Sequence, residues 1–279
     1  MKTSIVAVLT LLLAATIASA SPRADQPPYV QTIFELVLND GSRAYGRIEQ
    51  ETDTQITFRT TSGAVLTTSK ARIVTLRPVL FRRVGGELRR EDPNNTRLLF
   101  APTARSVPRG QTYLGVYEAL VPFVQVGVTD RFSIGGGTPL IFAGDFERPY
   151  WVTPKLQIYS SENTHAAVGL FHGVADGESG GVAYAVLTKE RPGGAFTVGA
   201  GMGYRSDGSR GGVVMVGAEA PATRNIRWIT ENYVWRSAVI TSGGVRFFGE
   251  RLAADLAIGI AFVDDETIAF PLVNFVYRF

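Results

Sequence analysis

The chain has 279 residues, of which 45% are hydrophobic and 19% are charged, and it contains 30 glycines, 16 phenylalanines, 10 tyrosines and no cysteine. Without cysteine, disulfide-stapled secreted folds, thiolate metal sites and thiol catalysis are excluded. The formal net charge of +3 is too small to indicate a nucleic-acid partner. Abundant glycine and aromatic residues favour a bacterial envelope β-protein.

Residues 1–20 are predicted to be a signal peptide. Lys2 provides the positive start, an apolar run follows from Ile5 to Ile17, and Ala18 to Ala20 form a small-x-small cleavage site. A membrane anchor is the alternative, but the run is shorter than the roughly 20 residues that a spanning helix needs. Residues 21–30 are predicted to be a polar leader.

Residues 31–78 predict a small β module of five short strands. Its rhythm is an apolar strand, an Asp-Gly turn, Gly-x-Ile and then Ile-x-Phe, at 38–41, 46–48 and 56–58. This rhythm resembles the Sm-like and SH3-like small barrels. The resemblance implies a module that docks to a neighbouring surface or binds a ligand, with peptidoglycan or a periplasmic protein as the partner.

Residues 79–96 are predicted to be a basic linker. Four arginines flank Gly85-Gly86, and the segment ends at Pro93-Asn94-Asn95. Such a charged, glycine-bearing stretch is usually solvated. Contact with anionic lipid headgroups is the alternative, because arginine binds phosphate well.

Residues 97–279 predict a transmembrane antiparallel β-barrel. Short segments alternate in side-chain size: along 252–262, bulky Leu, Ile and Phe share one face, whereas Ala, Gly and Asp255 share the other. A soluble sandwich would instead carry a polar outer face. The alternation therefore favours a barrel of about twelve strands, within a range of about 10–14, with small and charged side chains in its lumen. The strands are predicted near 112–120, 122–129, 131–141, 150–159, 164–173, 181–189, 194–204, 211–219, 225–233, 236–248, 250–262 and 267–279.

The final strand carries an aromatic edge. Phe275, Tyr277 and Phe279 fall on one face, and they are predicted to be a signal for barrel assembly at a lipid interface. An even strand number puts both barrel ends on one side of the membrane, so the small module is predicted to be periplasmic. The predicted location is the bacterial outer membrane, with outer-membrane lipid and the barrel-assembly machinery as partners.

Two motifs near the start of this region point to the same architecture. They read N-T-R-L-L-F-A-P-T-A-R at 95–105 and T-D-R-F-S-I-G-G-G at 129–137. They resemble an uncharacterised family of bacterial outer-membrane β-barrel proteins. The resemblance implies the barrel and brings no activity with it.

The sequence predicts no catalytic residue, metal site or cofactor. His165 and His172 would lie about 23 Å apart on one strand at roughly 3.3 Å per residue, too far to share a metal. Ser160, Ser161 and Glu162 lie beside His165 in a polar loop, as a hydrolase would need. A membrane-embedded lipid-modifying enzyme using a histidine is therefore kept as an alternative, as is a soluble secreted β protein.

Charged residues on the predicted lumen faces are the candidate site. Both signs are present, so these charges must pair with one another or line water. They form either an ion-pair network that stiffens a plugged barrel, or a conduit or binding site for a small polar solute. The leading prediction is a non-enzymatic barrel with a structural, pore or binding role. The cluster consists of Glu118, Lys155, Lys189, Glu219, Arg227, Glu231, Arg246 and Asp255.

Overall fold

The structure, a computed structural model, describes residues 30–84, 87–140, 148–263 and 266–279. The predicted signal peptide and nearly all of the predicted leader lie outside these ranges. Within them, no helix is long and apolar enough to cross a membrane. The described chain forms two antiparallel sheets, as predicted for an all-β protein.

The N-terminal sheet has five main strands, extended at one edge by a short sixth strand, in the order β4-β3-β2-β1-β5-β6. Its core contains Leu36, Leu38, Ile56 and Phe58. Gly41 makes the predicted tight turn with a φ of +82°, a backbone conformation that favours glycine. The likeness to SH3-like or Sm-like barrels stays a prediction. The strands are β1 (Val30–Leu38), β2 (Arg43–Glu51), β3 (Gln55–Thr60), β4 (Val65–Ser69), β5 (Ile73–Val84) and β6 (Glu87–Arg90).

The second sheet closes on itself, because its last strand β19 pairs with its first strand β7. β10 and β11 share one place in the wall, since both pair with β9 and β12 and are separated at Thr153-Pro154. The wall therefore has twelve strand positions, as predicted. The strands are β7 (Thr112–Tyr117), β8 (Val121–Gly127), β9 (Phe132–Gly137), β10 (Tyr150–Val152), β11 (Lys155–Ser160), β12 (Thr164–Ala175), β13 (Glu178–Arg191), β14 (Gly194–Arg205), β15 (Arg210–Pro221), β16 (Ile226–Val234), β17 (Ala238–Phe248), β18 (Leu252–Val263) and β19 (Glu266–Arg278).

The two faces of the wall differ as the alternation predicted. On β18, Ile258 points outward and is 63% exposed, whereas Asp255 points inward and is 1% exposed. On the final strand, Phe275 and Tyr277 are exposed outside, and Asn274 is buried inside. The barrel thus presents an apolar outer surface, and charged strand residues such as Asp255 are buried inside.

Both ends of the barrel sheet lie at the same end of the barrel, named here the termini end. The turns at 118–120, 206–209 and 235–237 lie at the opposite, far end. The N-terminal sheet contacts the termini end, where Arg77 Nη1 lies 2.9 Å from Glu250 Oε2 in the β17–β18 turn.

Residues 91–107, named here the plug, occupy the lumen on the side of the termini end. Leu98 and Leu99 are fully buried and pack with Met215, Ile229 and Leu272 of the wall. The plug turns back on itself at residues 97–102. An antiparallel bridge joins Arg97 to Pro102, and Leu98 N donates a 2.8 Å hydrogen bond to Ala101 O. The predicted linker and the predicted start of the barrel therefore differ from the structure: residues 79–84 lie in β5, residues 87–90 form β6, and the first strand of the wall begins at residue 112.

A glycine in the wall makes room for the plug. A Cβ placed on Gly217 of β15 would lie 2.2 Å from Leu98 Cδ1 and 2.8 Å from Thr230 O. Because real Cβ atoms do not approach other atoms so closely, any larger residue there would push the plug tip aside.

Candidate functional site

Arg246 on β17 holds the plug by its backbone carbonyls. Its guanidinium donates to the carbonyl oxygens of Asn94 (2.8 Å), Arg97 (3.2 Å) and Leu98 (2.5 Å). Two carboxylates balance its charge: Asp255 on the neighbouring strand at 2.6 Å and Asp92 of the plug at 3.1 Å. Arg246 is fully buried. A buried arginine is tolerated when it is paired with carboxylates and all of its donors find acceptors, as they do here.

Glu231 on β16 holds the plug by its backbone N–H groups. Its Oε2 accepts from the N–H groups of Leu99 (2.8 Å), Phe100 (3.0 Å) and Ala101 (2.9 Å). Its Oε1 accepts from the Tyr233 hydroxyl at 2.7 Å. Three converging N–H groups form a small anion-binding nest, so this carboxylate fixes the tip of the plug.

Three further lumen side chains complete the grip on the plug. Lys155 Nζ donates to the carbonyl oxygens of Thr96, Thr103 and Arg105, at 3.3, 3.1 and 2.7 Å. Gln157 donates to the Ala104 carbonyl at 2.7 Å, and Asn274 donates to the Leu99 carbonyl at 3.1 Å. Irregular backbone inside a barrel cannot use a sheet ladder, so these side chains satisfy it instead.

Arg105 anchors the return half of the plug through charge. Its Nε lies 2.7 Å from Glu190 Oε1 on β13, and its Nη2 lies 2.6 Å from Glu219 Oε1 on β15. Arg227 on β16 also contacts Glu219 Oε1, at 3.1 Å. Arg105 therefore ties the plug to β13 and β15, and Arg227 extends this charge network to β16.

The structure places the predicted charge cluster as follows. Lys155, Glu219, Arg227, Glu231, Arg246 and Asp255 lie in the lumen. Glu118 lies outside the cluster, in the β7–β8 turn, where its carboxylate accepts from Val273 N at 3.2 Å. Lys189 is exposed on the outer face, because the inward positions of β13 are the even-numbered ones. The side chains that the prediction missed are Asp92, Arg97 and Arg105 of the plug and Glu190 beside Lys189.

Above the plug, toward the far end, the lumen holds a cavity of about 500 Å³, named here the cup. The plug forms its floor with Arg97, Phe100 and Pro102. Aromatic side chains cover much of its wall. They are Tyr113, Tyr117, Trp151, Phe171, Tyr184, Tyr233 and Trp235.

The histidines do not form a hydrolase centre. His165 Nδ1 lies 3.0 Å from Ser160 Oγ, and its Nε2 lies 3.5 Å from Glu190 Oε1. In a serine triad, Nε2 contacts the serine and Nδ1 contacts the acid, so the roles are reversed, and Glu190 is already engaged by Arg105. His172 lies on the outer face, stacked on Tyr204 with its Nδ1 2.8 Å from the hydroxyl. Both contacts are structural.

Comparison with known proteins gives likeness in structure alone. No family model and no curated protein matches the chain. Solved structures that are similar include the KdgM porin in complex with disordered oligogalacturonate, at 7% identity and a TM-score of 0.47 over 61% of this chain and 98% of that one. The NanC porin is 9% identical, with a TM-score of 0.40 over 60% of this chain and 97% of that one.

A third similar structure spans more of the chain. It is a loop-deletion mutant of OmpT, an outer membrane protein of Vibrio cholerae, at 9% identity and a TM-score of 0.36 over 89% of this chain and 96% of that one. All three are bacterial barrel proteins. The likeness is therefore one of fold alone.

Proposed function

We propose that the protein is a non-enzymatic outer-membrane barrel that binds a small solute in its cup, and that the plug blocks free diffusion through the lumen. One observation carries this proposal. Glu231, Arg246 and Lys155, from three separate wall strands, together bind nine backbone groups of the plug. A segment held so completely is a built part of the barrel.

The outer-membrane location is supported by the outward face. Exposure of its aliphatic and aromatic side chains to water would be unfavourable, whereas contact with the hydrocarbon of a membrane is favourable. Phe275, Tyr277 and Phe279 lie on this face at the last strand, which fits a role in assembly by the barrel-assembly machinery. The N-terminal sheet would then lie in the periplasm, as an SH3-like or Sm-like module available to peptidoglycan or a periplasmic protein.

Conductance in planar bilayers tests the blocked lumen. Purified wild-type protein is expected to insert and give no steady current steps. Gly217→Leu, combined with Glu231→Gln, is expected to give steps, because it crowds the plug tip and removes the charge that holds it. Gly211→Leu lies on the same strand and face, with open space around its Cβ, and serves as the matched control.

The outcomes distinguish a lumen that the plug blocks from an open diffusion pore. Steady steps from the wild-type protein would overturn the blocked barrel and leave a plain diffusion pore. Silence from wild type and control, together with steps from the double variant, supports occlusion by the plug. In each case heat-modifiable migration on a gel verifies folding, and co-flotation with liposomes verifies insertion.

A further inference from the structure

Arg97 is a cation without a carboxylate partner at the floor of the cup. Its Nη2 donates to Gln125 Oε1 at 2.9 Å, its Nε donates to the Tyr113 hydroxyl at 3.2 Å, and its Nη1 donates to the Phe100 carbonyl at 3.4 Å. All three acceptors are neutral. Among the residues that the structure describes, no carboxylate oxygen lies within 4.0 Å of an Arg97 nitrogen.

The contrast with the other plug arginine is informative. Arg105 is neutralised by Glu190 and Glu219 within 2.7 Å. A guanidinium has five N–H donors, so Arg97 keeps two that none of its bonds uses. An uncompensated cation in a partly buried place is costly, and a bound anion would remove that cost.

The surroundings of Arg97 select for a flat, apolar ligand body. Its guanidinium carbon lies over the Phe123 ring, 5.2 Å from the ring centre. Tyr117 stacks on Phe123 at a centroid distance of 4.2 Å, and Phe100 lies 4.8 Å from Tyr117 with its ring plane tilted by 34°. The rest of the cup wall is largely apolar and includes Trp151, Phe171 and Trp235, so it offers apolar surface to a ligand rather than the polar groups that a sugar would need.

The other charged groups that line the cup do not compete for an anion. The Lys155 ammonium group donates to three plug carbonyls. Glu118 lies at the far-end rim, where its carboxylate accepts from Val273 N. Arg97 is thus the cation on the cup floor with donors to spare.

From this geometry we infer that the cup binds a small amphipathic carboxylate whose flat, apolar body lies against the aromatic wall and whose carboxylate pairs with the Arg97 fork. The inference rests on the proposed function and deepens it. A volume of about 500 Å³ suits a compact molecule of drug-like size. A planar carboxylate matches the guanidinium fork with two parallel hydrogen bonds.

Two probes of one shape test the charge requirement. Titration calorimetry is run on the full chain in nanodiscs with 2-naphthoate and with its neutral counterpart 2-naphthamide, and empty nanodiscs give the blank. Wild-type protein is expected to bind the acid more tightly than the amide. Arg97→Gln is expected to weaken acid binding by roughly tenfold or more and to leave the amide nearly unchanged.

Three further variants locate the site. Val182→Trp, which fills the cup from β13 without touching Arg97, is expected to abolish binding of both probes. Arg97→Lys keeps the charge but loses the fork, so its acid affinity should fall between wild type and Arg97→Gln. Arg210→Gln, in the exposed start of β15, is the control and should bind as wild type does.

Equal binding of acid and amide by wild type would overturn the inference, as would an Arg97→Gln protein that binds the acid normally or a wild type that binds neither probe. Those results leave the proposed blocked barrel standing, because bilayer conductance tests it separately. Gel migration shows whether each variant is folded, and Val182→Trp keeps the site testable should Arg97→Gln fail to fold.

Discussion

At the scale of single residues, the lumen charges act mainly on backbone groups. Arg246 and Lys155 bind carbonyls, and Glu231 binds amides, so each ion supplies what a sheet ladder supplies elsewhere. This division explains why both signs of charge are needed in one cavity. It also explains why the plug can be irregular and still be buried.

Arg246→Met should be strongly destabilising, since it leaves Asp92 and Asp255 buried without their cation. We expect a loss of about 3–5 kcal/mol in the free energy of unfolding. Urea titration of the protein in lipid, followed by tryptophan fluorescence, measures the loss. Arg224→Met, in an exposed turn, is the control and should stay near wild type.

The double variant Arg246→Met, Asp255→Leu refines this expectation. Because it removes both partners of one buried pair, it should recover part of the stability that Arg246→Met loses. A double variant less stable than the single one would show that Asp255 serves the fold apart from this ion pair.

At the scale of the element, each strand offers one face to the lumen and one to the outside. Ile258, near the middle of β18, is among the most exposed apolar side chains of the wall. Its neighbours in sequence, Ala257 and Gly259, point inward and are buried. The strand therefore makes sense only if its outer face touches something apolar.

Ile258→Arg tests that contact. An arginine facing hydrocarbon at mid-depth should cost about 2–4 kcal/mol in the free energy of unfolding from a bilayer. Ser209→Arg, in the exposed turn between β14 and β15, should cost much less. Equal, small losses for the two variants would argue that no lipid touches this face.

The plug is the other element whose behaviour can be measured, and the absence of native cysteine makes the experiment clean. Ala104 is fully buried between the plug and the wall residues Ala167 and Val186. We expect Ala104→Cys to react with a water-soluble thiol reagent at least about a hundredfold more slowly than Ser209→Cys, since a buried site must open before it reacts. Comparable rates in folded protein would contradict a seated plug.

Sequence patterns predict elements that follow a period and miss those that do not. The strands of the wall repeat every two residues, and their number and order were predictable. The sequence predicts Lys189 in the lumen instead of Glu190 because β13 is apolar on both faces from Val182 to Leu187, so alternation does not distinguish inside from outside.

The plug is an element that sequence periodicity does not predict. Residues 91–107 have no period, and their partners Glu231 and Arg246 lie more than a hundred residues away. The motif at 95–105 was visible as a motif, but its role depends on contacts that exist only once the barrel is closed.

At the scale of the whole molecule, the N-terminal sheet and both ends of the barrel wall share one side. Arg77 links the two parts, since it contacts Glu35 within its own sheet at 2.6 Å and Glu250 of the barrel at 2.9 Å. In this arrangement the far end of the barrel carries the turns at 118–120, 206–209 and 235–237, whereas the termini end carries the folded N-terminal sheet.

Epitope insertion measures which face is which. We expect a short epitope after Asp207, in the far-end turn, to bind antibody on intact cells. The same epitope after Ser62, in the turn between β3 and β4, should bind only after the outer membrane is permeabilised. The reverse pattern would place the N-terminal sheet on the cell surface.

The plug has a further topological property. It joins β6 at one end and β7 at the other, and both junctions lie at the same mouth of the barrel. The plug is therefore a loop that enters and leaves the barrel through the same mouth, and it does not pass through the barrel from one end to the other. Withdrawing the plug would draw a doubled loop through that mouth with no chain terminus to pass, and it would break no hydrogen bond between the strands of the wall.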